Sequence, residues 1–124
     1  MSAGRILFVE DNAVCQLETS EALRRFGFDV VEAGSAAEAQ SVIEERSPLA
    51  GLLTDVDLGA GADGYAVARC GRAAYPRLAV VYISAGASAR HRAEGVAGSE
   101  FIAKPFHSEQ VAVALERMIH VQAA

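Results

Sequence analysis

Residues 78–83 read LAVVYI and form the most continuously apolar strand pattern of the chain. A strand with an apolar residue at every position is buried on both faces, which is typical of a parallel sheet covered by helices on both sides. Pro76, a residue that interrupts regular secondary structure, lies just before this run. The stretch therefore predicts a strand at or near the centre of a parallel α/β sheet.

The rest of the chain alternates strand and helix patterns around this run. Further short apolar runs predict strands at residues 5–10, 29–33, 50–54 and 100–103. Helical patterns follow the strands in turn: one ends at Phe26, one begins after a cap at Ser35, one passes through 67–70, and two cover 89–94 and 108–120. Five such units predict a doubly wound parallel sheet with right-handed crossovers and helices on both faces.

Three of the predicted helices are indicated by apolar residues at roughly helical spacing, which in the second and last helices form an apolar face. These residues are Val14, Leu17, Leu23 and Phe26 in the first helix, Ala37, Ala39 and Ile43 in the second, and Val111, Leu115, Met118 and Ile119 in the last.

The size and charge of the chain limit the classes of protein to which it can belong. Its 124 residues fit a single domain over 1–124, with a core of about 5–121. The formal net charge of −5 argues against a nucleic-acid surface, which needs clustered Lys and Arg, and only 90–92 is locally basic. The apolar runs are too short for a membrane span or a signal peptide, so we expect a cytoplasmic protein without membrane contact.

The cysteines and histidines are not spaced as metal ligands. Cys15 and Cys70 fall in different predicted helices, and we expect reduced thiols. For His91, His107 and His120, which have no carboxylate or cysteine at ligand spacing, we expect surface or capping roles. The chemistry of this chain is therefore expected from other residues.

Polar side chains follow four of the five predicted strands. Glu10 and Asp11 stand at the end of the first strand, Asp55 follows the third, Ser84 the fourth and Lys104 the fifth. In a doubly wound sheet, ligands bind beyond the carboxyl ends of the strands. We therefore expect these five side chains to form one site.

Three carboxylates at one edge of a sheet raise one another's pKa unless a cation neutralises them. Mg²⁺ suits such a site because it prefers carboxylate, carbonyl and water oxygens. Lys104 adds a positive charge and Ser84 a hydroxyl donor, so the set can position and neutralise a phosphoryl group. Each motif alone is more often structural, and the prediction depends on their combination.

These motifs resemble the response-regulator receiver family from residue 5 to about 121. The match includes their order: an acidic pair after the first strand, the acceptor in 52–55 (LLTD), a hydroxyl in 83–85 (ISA) and 104–106 (KPF) after the fifth strand. The resemblance implies a flavodoxin-like (βα)5 fold with strand order 2-1-3-4-5.

The resemblance also implies the roles of the site residues. Asp55 would be the phosphoacceptor, and Mg²⁺, for which Mn²⁺ can substitute, would be bound by Asp55, directly by Asp11, through water by Glu10 and by the backbone carbonyl of Asp57. The phosphoryl group would be bound by Ser84 and Lys104. Phe101 would respond to the movement of Ser84, and Pro105 is a candidate for a cis peptide bond.

The partners implied by the resemblance are proteins. A sensor histidine kinase or a histidine phosphotransfer protein would supply the phosphoryl group. A downstream protein or a second copy of the chain would meet the face of the fourth helix, fifth strand and fifth helix, roughly 87–121. Such a chain is a bacterial signalling phosphoacceptor rather than an enzyme, although it assists its own phosphorylation and dephosphorylation.

The segment after the acceptor departs from the family pattern. The family usually has a hydrophobic-Pro pair soon after the acceptor and a glycine eight residues after it. Residues 58–64 here read LGAGADG, so the proline is missing and Gly64 falls nine residues after Asp55. The added glycines predict a loop with greater conformational freedom.

Two other functions stay open. The sequence Asp55-Val56-Asp57 resembles the Asp-x-Asp motif of haloacid-dehalogenase-type phosphohydrolases, which are Mg²⁺-dependent, although that motif normally lies near the first strand and precedes a large extension. A pseudo-receiver that serves only as an interaction module would be favoured by the loss of Asp55 or Lys104, and both are present.

Overall fold

The computed structural model describes residues 4–59, 61–86 and 89–123. Strands and helices alternate along these residues. The strands are β1 (Gly4–Val9), β2 (Phe28–Ala33), β3 (Gly51–Asp55), β4 (Ala79–Ser84) and β5 (Glu100–Ala103). The helices are α1 (Ala13–Arg25), α2 (Ala36–Glu44), α3 (Gly64–Ala74), α4 (Ala89–Glu94) and α5 (Ser108–Ala123). The predicted strand bounds differ from these by at most one residue.

The strands form one parallel sheet in the order β2-β1-β3-β4-β5, which confirms the predicted fold class. β3 lies at the centre, and β4, the most apolar strand, lies beside it with every residue buried. Because the strands are parallel, the ends of β1, β3, β4 and β5 all meet at one edge of the sheet.

Alternate residues of the central strands enter two separate cores. Phe8, Leu53 and Val81 pack on the face covered by α1 and α5, whereas Leu52 and Tyr82 pack on the face covered by α2 and α3. All five side chains are fully buried. Each buried side chain of this size contributes about 1.5–3 kcal/mol relative to an exposed one, so both faces hold the sheet rigid beneath its polar edge.

Side-chain caps fix the starts of three helices. Asn12, Ser35 and Asp63 accept hydrogen bonds from backbone N–H groups of the first turns of α1, α2 and α3, at 2.9, 3.2 and 3.0 Å. Caps of this kind each contribute about 1 kcal/mol. The cap predicted at Ser35 is thereby confirmed.

The predicted first helix is confirmed as α1, but most of the apolar residues that indicated it do not face the core. Val14 and Leu17 are 66% and 57% exposed, Phe26 is 37% exposed, and only Leu23 of the predicted set is buried. The side that faces the core also carries Thr19, and two residues correspond to a rotation of about 200° around a helix, so Leu17 points away from it. The start of α1 therefore presents apolar side chains to solvent.

The other predicted helix faces agree better with the structure. In α2, Ala39 and Ile43 are buried, but Ala37 is exposed. In α5, the predicted residues are buried except for Ile119, which is partly buried and packs against the core. Both cysteines are free thiols, as expected. Among the described residues, the helices lack the combination of length and apolar character needed to cross a membrane.

The longer loop after β3 closes on itself through Gly64. The Gly64 N–H donates to the carbonyl of Val56 at 2.9 Å, which joins the two ends of the loop. Gly59 and Gly61 adopt φ values of +78° and +95°, a region that side chains disfavour. Gly64 itself lies so close to β3 that a Cβ there would meet the Asp55 carbonyl oxygen at 2.2 Å.

Gly64→Ala is expected to lower the free energy of unfolding by about 1–3 kcal/mol, because the new methyl group would meet a backbone atom that cannot rotate away. Urea denaturation measures this loss. Gly34→Ala is the control, since its Cβ would meet only the flexible end of Glu38, at 3.3 Å. Equal stabilities for the two variants would contradict the close approach of Gly64 to β3.

Candidate functional site

The ends of four strands bring the predicted site residues to one edge of the sheet. Glu10 directly follows β1, Asp55 ends β3, Ser84 ends β4 and Lys104 directly follows β5. Backbone hydrogen bonds hold these ends together: Val56 N donates to Ile83 O at 3.0 Å, and Lys104 N donates to Ser84 O at 2.9 Å. The positions of these residues are therefore fixed by the sheet itself.

The Lys104 ammonium lies between two buried carboxylates. Its Nζ donates to Glu10 Oε1 at 2.9 Å and to Asp55 Oδ2 at 3.0 Å. Glu10 is 1% exposed and Asp55 is 6% exposed, so little solvent screens these contacts. One lysine thus neutralises part of a charge cluster that the fold has removed from water.

Backbone groups complete the hydrogen bonding of both carboxylates. Asp55 Oδ1 accepts from the N–H of Asp57 at 3.1 Å, and Glu10 Oε2 accepts from the N–H of Asn12 at 3.3 Å. The Gln16 amide donates to the backbone carbonyl of Glu10 at 3.2 Å. The two bonds from Asp57 and Asn12 fix the direction in which each carboxylate points, and the bond from Gln16 holds the Glu10 backbone.

The site shifts the pKa values of its charged groups in different directions. Burial and then Glu10 raise the pKa of Asp55 to about 6 from its usual 3.8. Burial alone would raise the pKa of Glu10, but hydrogen bonding to Lys104 and Asp55 lowers it below its usual value. Burial opposes the charged form of Lys104, but the two carboxylates together raise its pKa. At neutral pH, therefore, all three groups are charged.

The residues present fit a hard divalent cation. Glu10, Asp11 and Asp55 each offer a carboxylate oxygen, and these oxygens lie within 4.8 Å of one another. With Lys104, the cluster carries three negative charges and one positive charge, so its net charge is −2. Oxygen ligands of this charge suit Mg²⁺. The predicted ligand role of the Asp57 carbonyl stays a prediction.

The remaining predicted residues lie on β4, on β5 and just after β5. Ser84 is 3% exposed, and its Oγ accepts a hydrogen bond from Gly86 N at 3.0 Å. Phe101 is partly buried and pairs with Tyr82 on the neighbouring strand. The peptide bond between Lys104 and Pro105 is cis, as predicted.

Two residues near the site were not predicted from the sequence. Gln16 donates to the carbonyls of both Glu10 and Ala33, at 3.2 and 3.1 Å, and so joins the ends of β1 and β2. Burial, followed by the nearby Glu10, raises the pKa of the Cys15 thiol to about 11. Both residues lie just after the acidic pair, in the first turn of a helix that starts at the site. This position in the sequence could have indicated that they are near the site.

The chain matches known proteins in sequence and in structure. Residues 6–116 match the family model of the response regulator receiver domain. A response regulator receiver protein from Sinorhizobium medicae WSM419 is 30% identical, with a TM-score of 0.92 and 95% of each chain covered. A sensor protein from Polaromonas sp. JS666 is 28% identical, with a TM-score of 0.83, covering 95% of this chain and 97% of that chain.

A curated relative is much longer than this chain. The sensor protein TorS of Escherichia coli strain K12 is 37% identical over 81 residues, which cover 65% of this chain and 9% of TorS. The match thus spans less than a tenth of that relative's length. It supports the family of the matched segment, not the activity of the whole relative.

Asp55→Asn is expected to raise the free energy of unfolding at pH 7 by about 1–3 kcal/mol when metal ions are chelated. The folded protein must keep Asp55 ionised where ionisation is disfavoured, since its pKa is raised from 3.8 to about 6. This cost is fully present above pH 6 and disappears as the pH falls towards 3.8. Urea denaturation between pH 7 and pH 4 measures the gain.

Asp29→Asn is the matched control, because Asp29 is an exposed carboxylate on β2. It should leave the stability nearly unchanged at each pH. An equal gain in both variants, or a gain for Asp55→Asn that is as large at pH 4 as at pH 7, would show that burial of the Asp55 charge is not its cause.

Proposed function

The chain belongs to the response regulator receiver domain family, and from this premise we propose that it accepts a phosphoryl group on Asp55 and switches a protein-interaction surface. The observation that carries the proposal is the position of Asp55, a buried carboxylate at the end of the central strand. Lys104 contacts it on one side, and two further carboxylates lie within metal-binding distance.

Asp55 is suited to be the nucleophile in this transfer. Its pKa of about 6 leaves the carboxylate mainly ionised at neutral pH. Hydrogen bonds from Asp57 N and Lys104 Nζ hold its two oxygens in a fixed orientation. A carboxylate oxygen would form a bond to phosphorus while the bond from phosphorus to the donor nitrogen breaks, and the donor histidine keeps the electron pair of that bond. The product is an acyl phosphate.

A divalent cation would be held by Asp11, by Asp55, by the backbone carbonyl of Asp57 and, through water, by Glu10. Mg²⁺ is the ion that we propose, and Mn²⁺ can replace it. When bound, the cation supplies positive charge that offsets the charges of the carboxylates and of the incoming phosphoryl oxygens.

Ser84 and Lys104 would bind the phosphoryl group once it is on Asp55. The Lys104 ammonium already donates to Asp55, so a small movement would bring it to a phosphoryl oxygen. The Ser84 hydroxyl is buried and ends the adjacent strand, and it accepts from Gly86 N while its own hydrogen stays available among the described contacts. These donors make contacts that exist only after phosphorylation, which is the differential interaction that a switch requires.

The proposed partners follow from the chemistry of the site. The donor is a histidine kinase or a histidine phosphotransfer protein in the cytoplasm, because the acceptor needs an activated phosphoryl group. The output surface is the face formed by α4, β5 and α5, where Phe101 responds to Ser84. A downstream protein or a second copy of the chain would bind there. We propose no catalytic turnover beyond the chain's own phosphorylation and dephosphorylation.

The phosphohydrolase alternative is not supported by the position of the second aspartate. The second aspartate of that motif would be Asp57, but its side chain is exposed and makes no described hydrogen bond. Asp57 contacts Asp55 through its backbone N–H instead. The pseudo-receiver alternative has no support either, since both Asp55 and Lys104 are in place.

Incubation with ³²P-labelled acetyl phosphate and Mg²⁺ should label the wild-type chain, and Asp55→Asn should lose essentially all of this label. The amide lacks the anionic oxygen that attacks phosphorus. The label should be released by hydroxylamine, as an acyl phosphate is. The protein would not be a phosphoacceptor at Asp55 if the variant became labelled at the wild-type rate.

Asp11→Ala should lose most of the increase in melting temperature that Mg²⁺ gives the wild type, because an ion that binds only the folded state stabilises it. Asp57→Asn is the matched control: it removes a neighbouring carboxylate but keeps the backbone carbonyl, and it should keep the increase. Differential scanning fluorimetry over a Mg²⁺ titration measures both. An equal increase in wild type and Asp11→Ala would contradict the assignment of Asp11 as a ligand.

A further inference from the structure

Two side chains of α4 reach other elements of the fold. Among the described residues, the polar and aromatic ring contacts between this helix and other elements are made by Arg90 and His91. The helix is short, with the bounds Ala89–Glu94. Its position therefore depends on what these two side chains bind.

Arg90 binds the segment that follows the acceptor. Its guanidinium donates to Asp63 Oδ2 at 2.8 Å and to Glu94 Oε2, on its own helix, at 2.7 Å. It also lies over the ring of Tyr65, 5.0 Å from the centroid. Two carboxylates and an aromatic face thus hold one planar cation, which is a more directional contact than an isolated surface pair.

Asp63 is directly connected to the acceptor strand. Its other oxygen, Oδ1, caps α3 by accepting from Ala66 N at 3.0 Å. The next residue, Gly64, is hydrogen bonded to Val56 and lies against the carbonyl of Asp55. A displacement of the loop that begins after Asp55 is therefore passed to Asp63, and from there to the guanidinium on α4.

His91 binds a different part of the protein. Its ring lies 5.4 Å from the ring of Tyr82 and 5.9 Å from that of Phe101, and its Nε2 is 2.9 Å from Ser99 Oγ. His91 is half-buried, and it packs against the buried Tyr82 and the partly buried Phe101, so its role goes beyond the predicted surface or capping one. The helix thus rests on β4 and β5 through His91 and on the acceptor loop through Arg90.

We propose that Arg90 is a positioning residue that couples the acceptor loop to α4. The loop has no proline, and Gly59 and Gly61 adopt positive φ, so between the ends that the Gly64–Val56 hydrogen bond joins its backbone supplies little restraint. The contact from Arg90 to Asp63 supplies an external restraint and makes the loop and α4 move together. This route runs beside the one from Ser84 to Phe101. Its use in signalling rests on the proposed function, whereas the coupling itself does not.

A double-mutant cycle tests the coupling in the unphosphorylated full chain. Arg90→Gln removes the cation, and Asp63→Asn removes the charge but keeps an oxygen that can cap α3. Amide hydrogen exchange by NMR reads out Gly95, whose N–H is bonded to His91 O in α4, and Gly64, whose N–H closes the loop. Arg92→Gln is the control, since Arg92 is exposed on the same helix and makes no described side-chain contact.

Each single variant should raise the exchange rate of both amides by about two- to five-fold, the range that an exposed ion pair supplies. The double variant should exchange no faster than the faster single variant, and Arg92→Gln should match wild type. The coupling is refuted if Asp63→Asn leaves the Gly95 rate unchanged, or if the effects of the two variants multiply.

Beryllofluoride with Mg²⁺ mimics a phosphoryl group. It tests whether Arg90 transmits a change at the site to α4 or only packs against its neighbours. In wild type we expect amide shifts at Gly86, beside the site, and at Gly95 in α4. Arg90→Gln should keep the Gly86 shift and lose about half of the Gly95 shift, and an undiminished Gly95 shift would overturn the proposal. If neither amide shifts in wild type, the proposed function fails, and the exchange cycle still decides the coupling.

Discussion

The contact of one ammonium with two buried carboxylates is the constraint on which the site depends. Lys104 can reach both Glu10 and Asp55 only because β1, β3, β4 and β5 end at the same edge of a parallel sheet. If the strands shifted in register, the two carboxylates would be left buried without a partner, at a cost of several kcal/mol. The register of the strands therefore determines which charges are paired at the site, and the pairing of these charges in turn stabilises that register.

This cluster carries more negative than positive charge. Lys104 balances one of the three negative charges, so the metal-free protein keeps an unfavourable surplus of negative charge. Burial, and then the neighbouring Glu10, also raise the pKa of Asp55 to about 6, so an anion is disfavoured at this position. A site with this imbalance attracts cations, and the carboxylate least favoured as an anion is the one proposed to be modified.

Sequence patterns predicted the sheet and its polar edge well. A buried strand appears as a run of consecutive apolar residues, and the polar residues that follow the run mark where the strand ends. The patterns failed where a side chain's role depends on a distant partner. Leu17 has the spacing of a core residue but faces solvent, and the Arg90–Asp63 contact joins residues 27 positions apart. The predicted freedom of the glycine-rich loop omitted the closure between Gly64 and Val56, which depends on how closely α3 packs on β3.

That closure has a consequence for how the loop can change over evolution. The hydrogen bond between Gly64 and Val56 fixes both ends of the segment between them. The length of this segment can therefore vary while β3 and α3 keep their positions. One more residue in a loop of this size costs only about 0.1 kcal/mol in closure entropy. Insertions at this point should therefore change stability little, and the loop offers a position for a grafted peptide close to Asp55.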